Sequence, residues 1–453
     1  MASKAGVKPE PAPIPGAPGA NGTVLTTKVR SKRRYFPGPF PRFRIYRNFR
    51  SYANLIGDAA VGRVTHGKDV ETFETALTRF LEAPHAICTC MARVGIHFAV
   101  KGLITPGQDV VMSPYTIADV VNMVISAGGR PLFADIERNT CNIDPGAVRS
   151  LVGSNTGAVL VTHLHGAAAR VLEIRDICHK MGVPMIEDAA QALGGMTGGL
   201  RLGTIGDAGV YSFGMYKNLN AWYGGAVVTP HRDLAVRIRA EMAEFNWQTA
   251  RAIVGRLCAG MVTDVATAPA LFRLMVFWVF RHALLNNIEP INRLLNTERD
   301  VKRLDVLPPH YRKRFTPSQA RIAIRQLDRI DSDARTRIHN AAIYRANLEG
   351  LPGITLPPAS EGLNHVYSHF PVQVEDRSRF LKWMFQHNRD VAAQHLTNCA
   401  DLPIFEGFAR ECPNARAAAA TTVVLPTYPR YPLDQIEANI DAIRSYFVRR
   451  SGS

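Results

Sequence analysis

Three side chains near the middle of the chain are of types that could act together on one small molecule. Asp188 ends an apolar run that begins at Met185, Ser212 ends a second such run, and Lys217 follows in the motif Ser-Phe-Gly-Met-Tyr-Lys-Asn. A carboxylate can pair with a protonated ring nitrogen, a hydroxyl can bind phosphate, and an amine can form a Schiff base. Pyridoxal phosphate (PLP) needs these three groups from a protein, so the pattern predicts a PLP site.

Short β-prone runs alternate with helical segments on both sides of these residues. Strands are predicted at 109–112, 131–134, 158–162, 184–187, 209–213 and 225–229, and helices at 69–80, 96–103, 118–127 and 170–181. This alternation predicts an α/β fold with a mostly parallel sheet that is buried on both faces. Ligands bind at the carboxyl ends of strands in such sheets, and Asp188 and Ser212 both stand at predicted strand ends.

The last third of the chain begins with a clear helix start. Thr316 is a predicted N-cap, Pro317 occupies the first turn, and Gln319 completes a capping box. After the turn at 350–353 the pattern predicts a smaller α+β region. Its predicted elements are strands at 369–374 and 422–425 and helices at 377–386 and 433–447.

From about residue 62 onward the chain resembles the DegT/DnrJ/EryC1/StrS sugar aminotransferases, which are fold-type-I PLP enzymes. The motifs that carry the resemblance include Glu-Asp-Ala-Ala-Gln at 187–191, the stretch 206–229, Arg-Phe-Thr-Pro-Ser-Gln-Ala at 314–320 and Leu-Pro-Thr-Tyr at 425–428. The resemblance implies a seven-stranded, mostly parallel sheet with helices on both faces. It divides the chain into a disordered basic arm (1–50), a large PLP domain (51–250), a hydrophobic insertion (251–310) and a linking helix with a small C-terminal domain (311–453).

The resemblance also assigns roles to single residues. Lys217 would hold PLP as the internal aldimine and then act as the proton-transferring base, while Asp188 would pair with the pyridine nitrogen. Ser212 resembles the phosphate-binding serine, with a simple buried hydroxyl as the alternative, and Asn218, next to the lysine, would also contact the cofactor. Gln191 would lie near the ring oxygen, although a residue in the first turn of a helix could equally face solvent.

Other positions depart from the family pattern around the phosphate and the substrate. The usual Ser-Asn-Gly-Thr cradle reads Cys-Met-Ala-Arg at 90–93, so Ala92 replaces the glycine and Arg93 either adds a cationic phosphate contact or points outward. Ile117 replaces the aromatic residue that stacks on the ring. His165 stands where the family often has tyrosine, and it either contacts substrate or fills a strand end.

A partner-subunit motif, Asn-x-Arg in the family, reads Arg312-Lys-Arg314 in this chain. Arg314 matches the family arginine, and Arg312 replaces an asparagine that reaches across the dimer. The resemblance therefore implies a homodimer with active sites at the subunit interface, where both arginines would contact anionic groups of cofactor or substrate.

Composition narrows the class of protein further. The chain has 453 residues, a net charge of +16 and seven cysteines at irregular spacing, which predicts neither a disulfide framework nor a metal site. Reduced thiols and the lack of an apolar leader favour a cytoplasmic protein. Between Lys28 and Arg50 there are nine Lys or Arg and no Asp or Glu. This arm is either a solvated tail or a contact for a polyanion, and nucleic acid is not expected as a partner.

The segment 268–285 is the most apolar and aromatic part of the chain, but Arg273 and Arg281 interrupt it, so it falls short of a membrane span. It is either an interfacial helix near anionic lipid or a helix that packs on the dimer or covers the substrate entrance. Because family members are soluble dimers, packing is the favoured interpretation.

These features together predict a homodimeric aminotransferase. It would transfer an amino group, from glutamate, to a keto group of a nucleotide-linked sugar. One alternative is an aminotransferase for a hydrophobic or lipid-linked carbonyl compound at a membrane surface. Another is a family member with a regulatory or binding role, which only the altered cradle supports. A pyridoxamine-phosphate dehydratase is disfavoured, because those relatives have histidine in place of Lys217.

Overall fold

A computed structural model of the chain describes residues 38–45, 52–53, 56–58, 61–292 and 301–451. Most of the predicted basic arm therefore lies outside the described residues, and only 38–45 can be discussed. The larger sheet has seven strands: β1 (His85–Thr89), β2 (Asp109–Met112), β3 (Arg130–Phe133), β4 (Thr156–Thr162), β5 (Met185–Asp188), β6 (Ala208–Ser212) and β7 (Gly225–Thr229).

The strand order is β1-β7-β6-β5-β4-β2-β3. The five strands from β6 to β3 are parallel to one another, whereas β7 is antiparallel to both β6 and β1. The prediction of a mostly parallel seven-stranded sheet is confirmed. Six strands match the sequence prediction to within two residues at either end, but β1 escapes it, because its sequence His-Ala-Ile-Cys-Thr lacks a run of strong β-formers.

Helices cover both faces of this sheet. They are α1 (Asp69–Leu81), α2 (Ala92–Leu103), α3 (Ala118–Ser126), α4 (Pro145–Leu151), α5 (Val171–Met181) and α6 (Arg232–Ala243). Strand β4 shows the two-sided burial directly: Ala158 and Leu160 belong to the core beneath α2 and α3, and Val159 and Val161 to the core beneath α1 and α5. Successive side chains of a strand point to opposite faces, so an uninterrupted apolar run is needed here.

The described part of the insertion contains two consecutive long helical segments and a short one. Helix α7 (Ala250–Ala266) is capped by the Thr249 hydroxyl, and α8 (Pro269–Leu285) contains a π turn at Phe272–Val276. A short helix, α9 (Glu289–Asn292), follows. Over the described residues, no single helix is long and apolar enough to cross a membrane. Helices α7 and α8 reach that length and hydropathy only as a pair, which is bent by 60°.

The C-terminal part carries a second, antiparallel sheet. Helix α10 (Pro317–Ile324) begins with the predicted capping box of Thr316 and Gln319, and α11 (Ile330–Leu348) continues from it. The strands β8 (Ile354–Thr355), β9 (Phe370–Val374), β10 (Ala392–Ala393) and β11 (Thr422–Leu425) pair in the order β8-β9-β11-β10. Helices α12 (Arg377–Gln386), α13 (Pro413–Thr421) and α14 (Leu433–Ser451) complete this part.

Candidate active site

Asp188 is the last residue of β5, and only 6% of it is exposed. Its Oδ1 accepts a hydrogen bond from the Ala190 amide at 3.0 Å. Burial raises the pKa of this carboxyl group, while the positive charge of Lys217 lowers it. A buried carboxylate is stabilised by an additional cation that enters the site, and a protonated ring nitrogen is such a cation.

Glu187, one residue earlier, has a structural role. Its carboxylate is fully buried and accepts hydrogen bonds from three backbone amides of the loop 203–206, at 2.6–2.8 Å. It also lies 2.9 Å from Nε2 of His163 at the end of β4. The Ala169 amide donates to Nδ1 of that histidine at 3.2 Å, so Nε2 carries the proton and donates to Glu187. This network fixes the strand end from which Asp188 projects.

Lys217 lies in the loop after β6, on the wall of a pocket of about 160 Å³. Burial lowers the pKa of its ammonium group and the positive charge of Arg93 lowers it further, whereas Asp188 opposes both effects. A lysine of lowered pKa is neutral more of the time and is a better nucleophile. The structure therefore brings Lys217 and Asp188 together electrostatically, although their strands are separated in sequence.

The residues beside Lys217 have their own partners. Ser212 ends β6, and its hydroxyl lies 3.4 Å from the Gly214 amide. Asn218 donates from its side-chain amide to the Leu193 carbonyl at 2.8 Å, while its Oδ1 is buried with no hydrogen-bond partner among the described residues. An unpaired buried acceptor of this kind fits a site that a polar ligand completes.

The start of α2 forms a cradle next to Ser212. Ser212 pairs in register with Gly225 of β7, and a Cβ on Gly225 would lie 2.6 Å from the amide nitrogen of Ala92. Only glycine allows β7 to approach the helix so closely. Met91 at the N-cap makes no side-chain capping bond, so the first amides of the helix point to an uncapped end that suits an anion.

The guanidinium group of Arg93 binds other side chains of the protein, so phosphate binding is not its only possible role. It forms an ion pair with Asp119 near the start of α3, and it donates to the Tyr311 hydroxyl at 3.0 Å. Its charge nevertheless acts on Lys217. Ile117, also near this end of the sheet, directly precedes α3 and packs, half-buried, against the core beneath α2.

Gln191 and His165 contact each other, and neither belongs to the lining of the Lys217 pocket. Gln191 Oε1 accepts the His165 amide at 3.0 Å. His165 is fully buried with a left-handed φ of 59°, and Gln394 of the C-terminal part lies 2.6 Å from its Nε2. Burial lowers the pKa of His165 to about 3, so the ring is neutral at physiological pH. Its Nδ1 is buried with no hydrogen-bond partner among the described residues.

Residues from the C-terminal part and from 38–45 complete the pocket, and none of them was predicted from the sequence. Beside Lys217 the lining includes Arg42, Phe43, Asp333, Arg329, Arg337, His369, Tyr428 and Arg430. Burial lowers the pKa of His369 to about 3, and the charge of Arg337 adds to this effect. Each of these residues is far from Lys217 in sequence, so no local pattern could have grouped them.

Arg312 and Arg314 lie elsewhere in the described chain. The Arg314 guanidinium donates to the Phe245 carbonyl at 2.7 Å and to the carbonyl of Ala243, the last residue of α6, and it stacks on Trp247. Arg312 is exposed. Neither residue belongs to the lining of the Lys217 pocket within this subunit.

The fold and this site define a class of protein: a transferase with a mostly parallel sheet, a smaller antiparallel sheet, and a lysine and carboxylate placed for PLP. The model of the DegT/DnrJ/EryC1/StrS aminotransferase family matches residues 52–254 and 292–444, and the chain belongs to this family. It is therefore an aminotransferase, and the enzymes of this family are PLP-dependent.

Individual relatives agree with this assignment. GDP-perosamine synthase of Vibrio cholerae is 26% identical over 416 residues, which cover 88% of this chain and 96% of the relative. Among solved structures, NtdA of Bacillus subtilis with bound PMP is 22% identical, with a TM-score of 0.70, and the match covers 92% of this chain and 87% of NtdA. DesI in the presence of its TDP-sugar product is 23% identical, with a TM-score of 0.67 and coverages of 91% and 94%.

Proposed function

We propose that this aminotransferase transfers an amino group, from glutamate, to a keto group of a nucleotide-linked sugar. The observation that carries the proposal is the position of Lys217 on the wall of a pocket that several arginines also line. A nucleotide diphosphate and a dicarboxylate donor are both anionic and suit such a lining. The similarity to GDP-perosamine synthase and to DesI supports the same class of substrate.

The residues present fit PLP. Asp188 would pair with its ring nitrogen, and Lys217 would hold its aldehyde carbon. The Ser212 hydroxyl and the first amides of α2, at Ala92 and Arg93, would hold its phosphate, as the uncapped helix end and the close approach of β7 suggest. When bound, PLP supplies an electron-withdrawing ring that stabilises negative charge at the substrate carbon.

The protein's own contribution to the reaction begins with Lys217. Because burial lowers the pKa of its ammonium group, Nζ is more often free to attack and, once released by the donor, to take and return the proton of the substrate carbon. Asp188 would balance the positive charge of a protonated ring nitrogen. Gln191 and Asn218 would orient the ring through their side-chain amides, and the neutral His165 would contact the substrate without adding charge.

Cofactor attachment can be tested separately from turnover. The purified protein is incubated with PLP, reduced with borohydride and digested, and the peptide that carries the label is identified by mass spectrometry. We expect a single label, on Lys217, and no label in Lys217→Ala. Glutamate and a panel of nucleotide ketosugars are then supplied, with detection of the amino sugar. Labelling at another lysine, or turnover in Lys217→Ala, would contradict the assignment.

We further propose a homodimer whose active sites are shared between subunits. The support is that Arg312 is exposed and outside the Lys217 pocket of its own subunit. Co-production of Lys217→Ala and Arg312→Ala chains shows whether Arg312 contributes to the active site of its own subunit or to that of the partner subunit. If Arg312 serves the partner's site, half of the dimers contain one intact site and the activity is about a quarter of wild type. If it serves its own site, no intact site forms and activity stays at the level of the single variants.

A cytoplasmic location belongs to the same proposal, since all seven cysteines are free thiols.

A further inference from the structure

The helices α7 and α8 are an addition to the family fold. The family match stops at residue 254 and resumes at 292, so it omits nearly all of both helices. An interface that the family shares is therefore not built from them. A function for α7 and α8 must therefore be inferred from their own residues.

Both helices present apolar side chains to solvent. Val254, Met261, Val262 and Val265 of α7 and Leu274, Met275, Trp278 and Val279 of α8 form what we call the apolar ridge. These eight residues are 37–73% exposed. On α7 they recur at helical spacing and so form a stripe along one side. Large apolar side chains gathered in this way mark an interaction surface more often than scattered ones do.

The opposite sides of the two helices are buried against the rest of the protein, so the ridge faces outward. On α7, Ile253 and Leu257 pack with Trp222, which follows the Lys217 loop. On α8, Phe277 stacks on Phe385 of α12, with ring centroids 5.5 Å apart. Because these inner contacts anchor both helices, the ridge is a fixed surface and not a loosely attached tail.

The charged side chains of α7 and α8 are almost all basic. From residue 250 to 285 the sequence contains four arginines and a single acidic residue, Asp264. That carboxylate is buried and accepts the Tyr52 hydroxyl at 2.6 Å, so it adds no negative charge to the surface, where Arg251 is exposed and the other three arginines are half-buried. Arg281 lies over the Trp278 ring, 5.5 Å from its centroid. An exposed tryptophan beside arginines, on a chain of net charge +16, is complementary to the surface of an anionic membrane.

We propose that the apolar ridge docks the enzyme on an anionic lipid bilayer as an interfacial element. The exposed side chains of α7 and α8 would insert among the headgroups, while Arg251, which is exposed, and the partly exposed end of Arg281 contact lipid phosphates. Insertion of the outer face alone keeps the inner contacts with Trp222 and Phe385 intact. This favours docking over a membrane-spanning arrangement, which would have to break those contacts.

Cys258 provides a direct probe of the surface. It is the one exposed cysteine of the seven, and it lies between Val254 and Val262 on the ridge side of α7. The full-length protein is mixed with vesicles of phosphatidylcholine alone or of phosphatidylcholine with about one quarter phosphatidylglycerol. Co-sedimentation and the rate of Cys258 modification by a membrane-impermeant maleimide are measured together. We expect binding to the anionic vesicles, with Cys258 modified about tenfold more slowly on them than in solution.

A matched pair of triple variants separates the ridge from general charge effects. Leu274→Glu, Met275→Glu and Val279→Glu change ridge residues, whereas Val236→Glu, Val306→Glu and Val448→Glu change equally exposed apolar residues elsewhere. The ridge variant should bind anionic vesicles at least about tenfold more weakly than wild type. The control variant should bind them about tenfold more tightly than the ridge variant does.

Several results would overturn the proposal. These are no binding to anionic vesicles, equal binding to both kinds of vesicle, and an equal loss in the two triple variants. A fourth is slow Cys258 modification in vesicle-free solution, together with dissociation of an oligomer by the ridge variant. That result would assign the ridge to a second copy of the chain.

Discussion

Asp188 and Glu187 are adjacent in sequence, and we expect a catalytic role for Asp188 and a structural role for Glu187. A pair of variants can separate the two roles. Asp188→Asn removes a buried charge, so the free energy of unfolding without cofactor should stay equal or rise. The rate of amino transfer should fall by about a hundredfold or more, because the ring nitrogen loses its anionic partner. Denaturant unfolding and single-turnover kinetics measure the two effects.

Glu187→Gln serves as the counterpart, since its carboxylate accepts three backbone amides and His163. It should cost stability by about 2 kcal/mol. A large loss of stability in Asp188→Asn, with turnover unchanged, would reverse the two assignments.

His97 gives the protein part of its sensitivity to acid. It is 5% exposed, and burial lowers its pKa from 6.5 to about 4, with Lys101 adding to the effect. The unfolded chain therefore takes up a proton that the folded chain resists, and stability falls as the pH drops below 6.5 until about pH 4. His97→Gln should reduce the loss of unfolding free energy between about pH 7 and about pH 5 by about 2 kcal/mol.

Urea unfolding of the cofactor-free protein at both pH values tests this expectation. The variant keeps a partner for Ser126, whose hydroxyl lies 2.9 Å from His97 Nδ1. An unchanged pH dependence in His97→Gln would show that His97 is not responsible.

Helix α10 positions the loop that follows Lys217. Gln326, just beyond the helix, donates to the Asn220 carbonyl at 2.7 Å and accepts the Asn220 amide at 3.2 Å. Gln326→Leu removes both of these hydrogen bonds in a buried place, at a cost of about 2 kcal/mol. Because the loop then loosens, PLP should dissociate faster during dialysis.

Gln435→Leu is the matched control, since Gln435 is equally buried but bonds to Arg389, in the loop between α12 and β10. It should cost stability without speeding the loss of PLP. Equal PLP retention in the two variants would mean that α10 does not support the loop.

Regular elements were easier to predict from the sequence than the site. Strands β2, β4 and β7 are apolar runs bounded by turns, and the capping box of Thr316 and Gln319 marks α10 without ambiguity. Lys217 and Asp188 were identified because their motifs are local. Arg337 and His369 were not, since an arginine in a charged helix and a histidine before a strand have ordinary local patterns. Only the packing of the two sheets brings them to the pocket.

The segment 38–45 ties the beginning of the described chain to its C-terminal part. Arg42 lies 3.1 Å from the buried carboxylate of Asp390, donates its amide to the same group at 2.9 Å, and lines the Lys217 pocket. Arg42→Leu removes the positive charge that pairs with this buried carboxylate and should destabilise the protein by about 3 kcal/mol.

The double variant Arg42→Leu, Asp390→Leu should recover most of that loss, because no buried charge is left unpaired. Thermal and denaturant unfolding of the two single variants and the double variant complete the cycle. Additive losses would indicate that the two residues do not act as a pair.

The two ends of the insertion lie side by side. Asn246–Trp247, just before α7, forms a parallel two-residue ladder with Lys313–Arg314, just after the insertion. Neighbouring strands are about 4.8 Å apart, so a long stretch of chain leaves and re-enters the fold at nearly one point. Such sites accept or lose whole segments with little disturbance to what surrounds them. In evolutionary terms, the insertion is a segment that this fold can gain or lose as one unit while the rest of the chain keeps its course.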